Sequence, residues 1–257
     1  MISGLASSGT WAEPKLLPPP ITYRLHILQE LPHSRKAFTQ GLVLHKGSMI
    51  ESSGLYGRSF IQRFHPQTNR LEHKRQLHPR LFAEGIAISN DQLYLLLWKQ
   101  GKVLRYDPDT FELLGHLTYQ GEGWGLATLG DQLVMSNGTA TLTYRAPETF
   151  APLRTLKVTL DGQELHQLNA LTTTDAQSPF GKLIWANVWK DNRLFAIDPQ
   201  SGVVVGLVDL SLLADKNRSS SAEDVLNGVA WDPENQGFWV TGKRWKRRYF
   251  IQLASPS

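Results

Sequence analysis

Short runs of β-branched and aromatic residues, bounded by Gly, Asn and Asp, recur along the chain. Clear examples are residues 92–98, 183–189 and 237–241. Runs of this length and composition are typical of β-strands, whereas helices need apolar residues at every third or fourth position over a longer window. Only residues 211–215 and 221–225 could each form a helical turn. The pattern therefore predicts an all-β chain.

A tripeptide repeats along the sequence: a polar or aromatic residue, then a small residue, then an apolar one. Its copies are Gln40-Gly-Leu, Glu84-Gly-Ile, Trp124-Gly-Leu, Asn169-Ala-Leu and Asn227-Gly-Val. A period of about 40 to 50 residues in a strand-rich chain is typical of the blades of a β-propeller. Turns containing proline recur between the copies, at Pro66, Pro108, Pro147 and Pro199.

The repeats predict one five-bladed β-propeller over residues 21–257, with residues 1–20 as a flexible tail. A blade of four strands with its turns needs about 47 residues, which five blades in this length provide. We expect the N-terminal strand, near residues 22–28, to pair with the C-terminus and close the last blade, because closure removes exposed strand edges.

The first residue of each copy should lie on an innermost strand, so the five copies would bring their first residues to one end of the central channel. In each repeat, a further position one hairpin later should lie at the same end of the channel. These residues are Ser52 and Ser53, Trp98, Asn137, Trp189 and Lys243. A carboxylate, an ammonium group, three indoles and several amides would then share one pocket.

An enclosed carboxylate such as that of Glu84 tends to have a raised pKa, which suits proton transfer near neutral pH. The alternative is structural: channel side chains bridge the blades through water, the indoles are core, and Glu84 forms an ion pair with Lys243. Composition alone favours this second interpretation.

The sequence lacks the residues and motifs that several classes of function require. The chain has no cysteine, which excludes disulfides, a thiolate nucleophile and cysteine-bound zinc. No His-Glu-x-x-His, P-loop or Gly-x-Ser-x-Gly motif is present. We expect no catalytic metal, although structural calcium stays open.

No apolar run is long enough to span a bilayer. The net charge is +4, and the basic residues 243–248 read as a solvated edge strand rather than a nucleic-acid site.

Ten short motifs occur in an order that resembles the plant and bacterial glutaminyl-peptide cyclotransferases, or glutamine cyclotransferases, over residues 23–253. They are Pro32-His33, Ala37-Phe-Thr-Gln-Gly-Leu42, Glu51-Ser-Ser-Gly-Leu-Tyr-Gly57, Glu84-Gly85, Trp98-Lys99, Gly121-Glu-Gly-Trp-Gly-Leu126, Leu168-Asn169, Trp185-Ala-Asn-Val-Trp189, Val225-Leu-Asn-Gly228 and Thr241-Gly-Lys243.

The resemblance implies a five-bladed propeller that converts the N-terminal glutamine of a peptide or protein to pyroglutamate and releases ammonia, without zinc or another cofactor. It implies that Glu84 is the general acid/base and that the remaining site residues form its pocket: Lys243, Asn169 and Gln40 as catalytic partners, with Phe38, Trp98, Trp124 and Trp189 binding the substrate. A monomer that binds neither nucleic acid nor membrane is expected. The resemblance favours export, and the compartment stays open.

Some positions depart from the family pattern. Ala170 and Thr172 stand where the family usually has acids, Asn137 replaces an aspartate, and residues 174–181 form an insertion. A catalytically silent propeller that binds peptide N-termini is therefore the main alternative. A six-bladed, lactonase-like metal hydrolase would need several channel carboxylates and a further blade, and the sequence shows neither.

Overall fold

The computed structural model describes residues 18–256, and strands dominate it. In chain order the strands are β1 (Ile21–Pro32), β2 (Thr39–His45), β3 (Ser48–Ser53), β4 (Phe60–Phe64), β5 (Leu71–Gln76), β6 (Ala83–Ser89), β7 (Gln92–Leu97), β8 (Lys102–Tyr106), β9 (Leu113–Thr118), β10 (Leu126–Leu129), β11 (Gln132–Met135), β12 (Thr141–Arg145), β13 (Pro152–Lys157), β14 (Thr159–Leu160), β15 (Gln163–Glu164), β16 (Leu168–Thr173), β17 (Ile184–Val188), β18 (Arg193–Ile197), β19 (Val204–Asp209), β20 (Leu226–Asp232), β21 (Gly237–Gly242) and β22 (Arg247–Ala254).

The all-β prediction is confirmed. Within residues 18–256 the single helix is α1 (Ser211–Lys216), at the first of the two predicted helical turns, while residues 221–225 form turns without a helix. No helix in this part of the chain is long and apolar enough to cross a membrane. Residues 1–17 of the predicted tail lie outside the described residues.

Most strands belong to sheets whose members follow one another along the chain. Three sheets have four strands each, in the orders β2-β3-β4-β5, β6-β7-β8-β9 and β10-β11-β12-β13. The largest sheet has eight strands in the order β16-β17-β18-β19-β1-β22-β21-β20. It contains two antiparallel groups, β16 to β19 and β20 to β22, which β1 joins by pairing with both. A separate hairpin consists of β14 and β15.

The first strands of these five antiparallel groups form a closed ring: β2 contacts β6, β6 contacts β10, β10 contacts β16, β16 contacts β20, and β20 contacts β2. Each copy of the tripeptide lies within one of these strands or, for Trp124, just before it. Apolar clusters fill the space between neighbouring groups, as where Ile50 of β3 packs with Leu95 of β7. The repeat therefore places its first residues around one axis.

The strand β1 pairs antiparallel with β22 from Arg24 to Pro32, as the sequence predicted for the two chain ends. It extends beyond the expected residues 22–28, and its first three residues also pair in parallel with β19. A bulge at Leu28 interrupts the register, so this side chain stays exposed while Ile27 packs against the core.

The insertion at residues 174–181 contributes to this core. Phe180 packs edge-on against Tyr23 of β1, against Trp185 of β17 and against Trp231 of β20. The lengthened hairpin therefore covers the junction that β1 makes between two groups of strands.

The expectation of a solvated basic edge at residues 243–248 is wrong. Lys243, Trp245 and Arg248 are buried. The reason is topological: β22 lies between β21 and β1 and is not an edge strand. The Arg248 guanidinium lies 4.7 Å from the Phe64 ring centroid and donates hydrogen bonds to Asn69 and to the Pro66 carbonyl.

A buried carboxylate ties the segment between β1 and β2 to β3. Glu51 accepts hydrogen bonds from His33 at 2.9 Å, Thr39 at 2.6 Å and Gln62 at 2.7 Å. Burial by itself would raise the pKa of Glu51, but these three donors together lower that pKa below its ordinary value of 4.5. The carboxylate is therefore ionised in the folded protein.

Two adjacent residues of β1 test its packing. We expect Ile27→Ala to lower the free energy of unfolding by about 2 kcal/mol, because it leaves a cavity against the core. Leu28→Ala is the matched control and should change it by less than about 0.5 kcal/mol. Urea unfolding measures both, and equal losses would contradict the register described for β1.

Glu51→Gln should lower the free energy of unfolding by about 3 kcal/mol at pH 7, because it removes the buried charge that three donors share. The folded-state pKa of Glu51 lies below its unfolded value, so its stabilisation is complete above pH 4.5 and disappears as the pH falls through the lowered pKa. Urea unfolding between pH 3.5 and 7 should show the difference between the two proteins becoming smaller towards the acidic end. A difference that is constant across this range would contradict the assignment.

Candidate active site

A cavity of about 400 Å³ opens at the end of the ring where the first strands begin. We call it the pocket; it is lined by Phe38, Gln40, Leu55, Phe82, Glu84, Trp98, Trp124, Asn169, Trp189, Glu223 and Lys243. All eight predicted site residues are in this set. They come from the starts of first strands or, for Trp98, Trp189 and Lys243, from just beyond the second strand of a group.

Four other residues expected there do not line the pocket. Ser52 and Ser53 are buried beside it, and Asn227 is buried beneath Gln40. The side chain of Asn137 turns back to accept hydrogen bonds from Thr139. Their expected position at the channel end is wrong, because these side chains bond to neighbouring backbone or to other site residues and do not face the cavity.

Hydrogen bonds between adjacent groups of strands hold the first strands in place. Each runs from a polar side chain to a backbone carbonyl of the next first strand: Ser52 to Glu84 at 2.6 Å, Ser136 to Asn169 at 2.7 Å, Asn187 to Leu226 at 2.9 Å and Asn227 to Thr39 at 2.8 Å. We call these four bonds the inter-group bonds. They fix the backbone of two predicted catalytic residues, Glu84 and Asn169.

The small residue in the tripeptide follows from the same close approach. A Cβ atom on Gly85 would lie 2.6 Å from the backbone oxygen of Trp124, and one on Gly125 would overlap the backbone oxygen of Asn169. Gly85 also donates its N–H to that Trp124 oxygen at 2.7 Å. Glycine at these positions therefore lets neighbouring first strands touch through their backbones.

Glu84 is fully buried and has one side-chain hydrogen-bond donor. Its Oε1 accepts from Gln40 Nε2 at 3.0 Å, and Gln40 Oε1 in turn accepts from Asn227 at 2.8 Å. Among the described residues, no donor reaches Oε2. Burial raises the pKa of Glu84 well above 4.5; the charge of Lys243 opposes this rise and that of Glu122 adds to it. The carboxyl is held in a fixed orientation and retains a proton far more readily than a solvated one.

Lys243 shares the pocket with Glu84 without pairing with it directly. Within residues 18–256 no hydrogen bond or ion pair joins the two side chains, and Lys243 Nζ lies 4.9 Å from the Phe38 ring centroid. Burial lowers the pKa of Lys243, and the charge of Glu84 opposes the change. The contact ion pair of the structural alternative is therefore not formed.

The indoles form the walls of the pocket. Trp124 and Trp189 meet edge to face, with ring centroids 6.2 Å apart, and Phe82 packs against Trp98. Trp98 and Trp124 both donate their N–H groups to Glu122, so neither N–H group is available to a ligand. In the described part of the chain, the indole N–H of Trp189 and the amide nitrogen of Asn169 have no hydrogen-bond partner.

Sequence reasoning missed three lining residues. Phe82 precedes Glu84 by two positions, as Phe38 precedes Gln40, so extending the repeat upstream would have found it. Leu55, which has a positive φ of 96°, and Glu223 lie in loops outside the repeat. Leu55 falls within the family motif at residues 51–57, whereas no pattern in the sequence singles out Glu223.

The departure at Ala170 affects the core and leaves the pocket lining intact. Ala170 is buried in an apolar cluster with Trp185 and Leu226. Thr172 accepts a hydrogen bond from the backbone N–H of Trp231 at 3.0 Å, which links two groups of strands. Neither side chain lines the pocket, so the absence of acids at these positions removes no lining group.

Comparisons with known proteins agree with this geometry. A family model described as glutamine cyclotransferase matches residues 2–253. The glutaminyl-peptide cyclotransferase of Arabidopsis thaliana is 33% identical over 238 residues, which cover 91% of this chain and 72% of that protein. The crystal structure of Myxococcus xanthus glutaminyl cyclase superposes with a TM-score of 0.85 at 32% identity, covering 93% of this chain and all of that one. The chain therefore belongs to the glutamine cyclotransferase family of enzymes.

Proposed function

We propose that this protein is a five-bladed β-propeller that converts the N-terminal glutamine of peptides or proteins to pyroglutamate. Ammonia is released, Glu84 acts as general acid/base, and neither zinc nor another cofactor takes part. The observation that carries the proposal is the state of Glu84. It is buried, oriented by Gln40, not directly paired with Lys243, and surrounded by aromatic walls.

The five-bladed assignment is supported by the five antiparallel groups whose first strands form a closed ring. In this assignment β1 is the outer strand of the last blade, paired with β22. Its parallel contact with β19 joins the fourth and fifth blades into one continuous sheet. We further propose that the protein acts as a monomer, since the residues of a single chain suffice to line the pocket.

The reaction joins two ends of one residue. The α-amine of the terminal glutamine attacks the carbon of its own side-chain amide, so the side chain must fold back on the amine. A cavity walled by Trp98, Trp124 and Trp189 restricts the substrate to compact shapes, which raises the effective concentration of the amine at the amide carbon.

One proton must move from the attacking nitrogen to the leaving nitrogen. The amine has an ordinary pKa of about 7.7 to 8.0 and attacks as the neutral base. Glu84, as the carboxylate, accepts the proton that the attacking nitrogen loses and then donates it to the departing amide nitrogen, which leaves as ammonia. The raised pKa of Glu84 makes its carboxylate a stronger base towards the attacking nitrogen, and a carboxyl whose pKa is nearer neutral pH can serve in turn as base and as acid.

The tetrahedral intermediate carries negative charge on the former amide oxygen. Asn169 Nδ2, Trp189 Nε1 and Lys243 Nζ are the pocket donors that make no hydrogen bond to the described protein, so all three are available to this oxygen. Such donors are already oriented before the reaction and typically lower the barrier by about 3 to 4 kcal/mol.

Zinc independence is supported by the side chains present. Among residues 18–256, no three His, Asp or Glu side chains approach closely enough to hold a metal ion. The pocket itself presents two carboxylates, of Glu84 and Glu223, and no histidine.

Glu84→Gln should lower the rate of ammonia release from a Gln-initiated peptide by about 10² to 10⁴, because the amide keeps the shape but cannot relay a proton. The assay contains a chelator, and Glu164→Gln, an exposed glutamate paired with Lys157, is the matched control. Full activity in Glu84→Gln would contradict the role of this residue. Peptide binding without ammonia release by the wild-type protein would instead support the silent propeller.

Asn169→Asp should lower kcat by about 10²-fold with a small change in KM, because it replaces a donor to the oxyanion by a carboxylate of the same size. The backbone oxygen of Asn169 still accepts the Ser136 hydrogen bond, so the fold should be retained. Steady-state kinetics and thermal unfolding measure the two effects separately. An unchanged kcat would exclude Asn169 from the oxyanion site.

A further inference from the structure

One carboxylate oxygen accepts hydrogen bonds from two tryptophans that form walls of the pocket. Glu122 Oε2 accepts a hydrogen bond from Trp98 Nε1 at 2.8 Å and another from Trp124 Nε1 at 3.1 Å. Trp98 follows β7 and Trp124 precedes β10, so the two indoles belong to different groups of strands. Glu122 does not line the pocket; it lies behind the rings that do.

The backbone around Glu122 is held in place, so its carboxylate has a defined position. Gly121 has a φ of 88°, and the N–H of Gly123 donates to the Trp98 carbonyl at 3.1 Å. A Cβ atom on Gly123 would overlap the hydroxyl of Tyr119, which leaves no room for a larger residue. The two flanking glycines therefore allow the backbone conformation that places the Glu122 side chain between the two tryptophans.

The repeat shows what Glu122 replaces. It precedes Trp124 by two positions, where the first and second copies have Phe38 and Phe82. Those two rings line the pocket themselves. In the third copy a carboxylate occupies this position and binds the indoles of its own copy and of the preceding one.

We infer that Glu122 is a positioning residue for the proposed reaction: its carboxylate fixes the Trp98 and Trp124 rings as pocket walls and places a negative charge near Glu84. This inference rests on the proposed function. It adds a residue that does not touch the substrate but controls the groups that do.

The charge and the geometry of Glu122 have separable consequences. The two hydrogen bonds orient the rings and should determine how tightly the substrate binds. The negative charge raises the pKa of Glu84, since a second negative charge nearby disfavours ionisation. A neutral side chain with the same acceptor geometry should keep the first effect and lose the second.

The side chain of Glu122 is 40% exposed, and Lys99 Nζ lies 3.6 Å from Oε1. The same ammonium group lies 4.1 Å from the Trp98 ring centroid. Lys99 thus neutralises part of the carboxylate charge from the solvent side, whereas the indole N–H groups meet the opposite oxygen.

The test compares Glu122→Gln and Glu122→Ala with wild type and with Glu164→Gln as the matched control. We expect Glu122→Ala to raise KM and the peptide dissociation constant by about tenfold, corresponding to about 1.4 kcal/mol. Glu122→Gln should keep both within about twofold, because the amide oxygen still accepts from the indoles. Its kcat should follow a pH profile whose Glu84 limb is shifted to lower pH.

Three results would overturn the inference: wild-type affinity in Glu122→Ala, equal losses of affinity in the two variants, or an unshifted pH profile in Glu122→Gln. If Glu122→Ala does not fold, Trp98→Phe replaces it, since this change removes one N–H donor and keeps a ring. Trp98→Phe should lower peptide affinity by the same factor in the wild-type and the Glu122→Gln backgrounds, because glutamine at position 122 still accepts from the indole in the second background. Peptide affinity, measured by tryptophan fluorescence, does not require turnover, so failure of the proposed reaction would be distinguished from failure of this inference.

Discussion

The contact between backbones of neighbouring first strands is the constraint on which the site depends. Gly85 and Gly125 allow this contact, and the inter-group bonds of Ser52 and Ser136 secure it. A larger residue at either glycine would separate two groups of strands, and the carboxyl of Glu84 and the amide of Asn169 would move with them. The precision of the pocket therefore begins in the packing of main chains and only afterwards involves the side chains that face the cavity.

Two buried glutamates show how donors, more than burial, decide the charge of a carboxyl. Glu51 and Glu84 are both removed from solvent, yet the pKa of Glu51 is lowered and that of Glu84 is raised. Glu51 receives three hydrogen bonds, one of them from His33, whereas Glu84 receives one from Gln40. The first is suited to hold the fold together, and the second is suited to exchange a proton.

The pocket combines rigid walls with unpaired polar groups. Glu122 accepts hydrogen bonds from the N–H groups of Trp98 and Trp124. The side-chain amide of Asn227 donates a hydrogen bond to Gln40. In the described residues the amide nitrogen of Asn169, the indole N–H of Trp189 and the ammonium group of Lys243 are left without a hydrogen-bond partner. Residues behind the pocket thus orient the side chains that line it, and the donors without a protein partner are the ones that can bind a reacting amide.

The amino-acid sequence by itself predicted the strand-rich fold, the five copies of the tripeptide and seven lining residues, because period and residue type are local properties of the chain. The eighth predicted lining residue, Phe38, came from the family resemblance. Phe82 was within reach of the same repeat. Tertiary structure alone decided that Arg248 is buried, that Ser52 and Asn227 support the pocket from behind, and that Leu55 and Glu223 reach it from loops. These outcomes depend on which strands become neighbours and on which way each side chain turns at a contact between groups. Such contacts join residues far apart in the chain, and no local pattern encodes them.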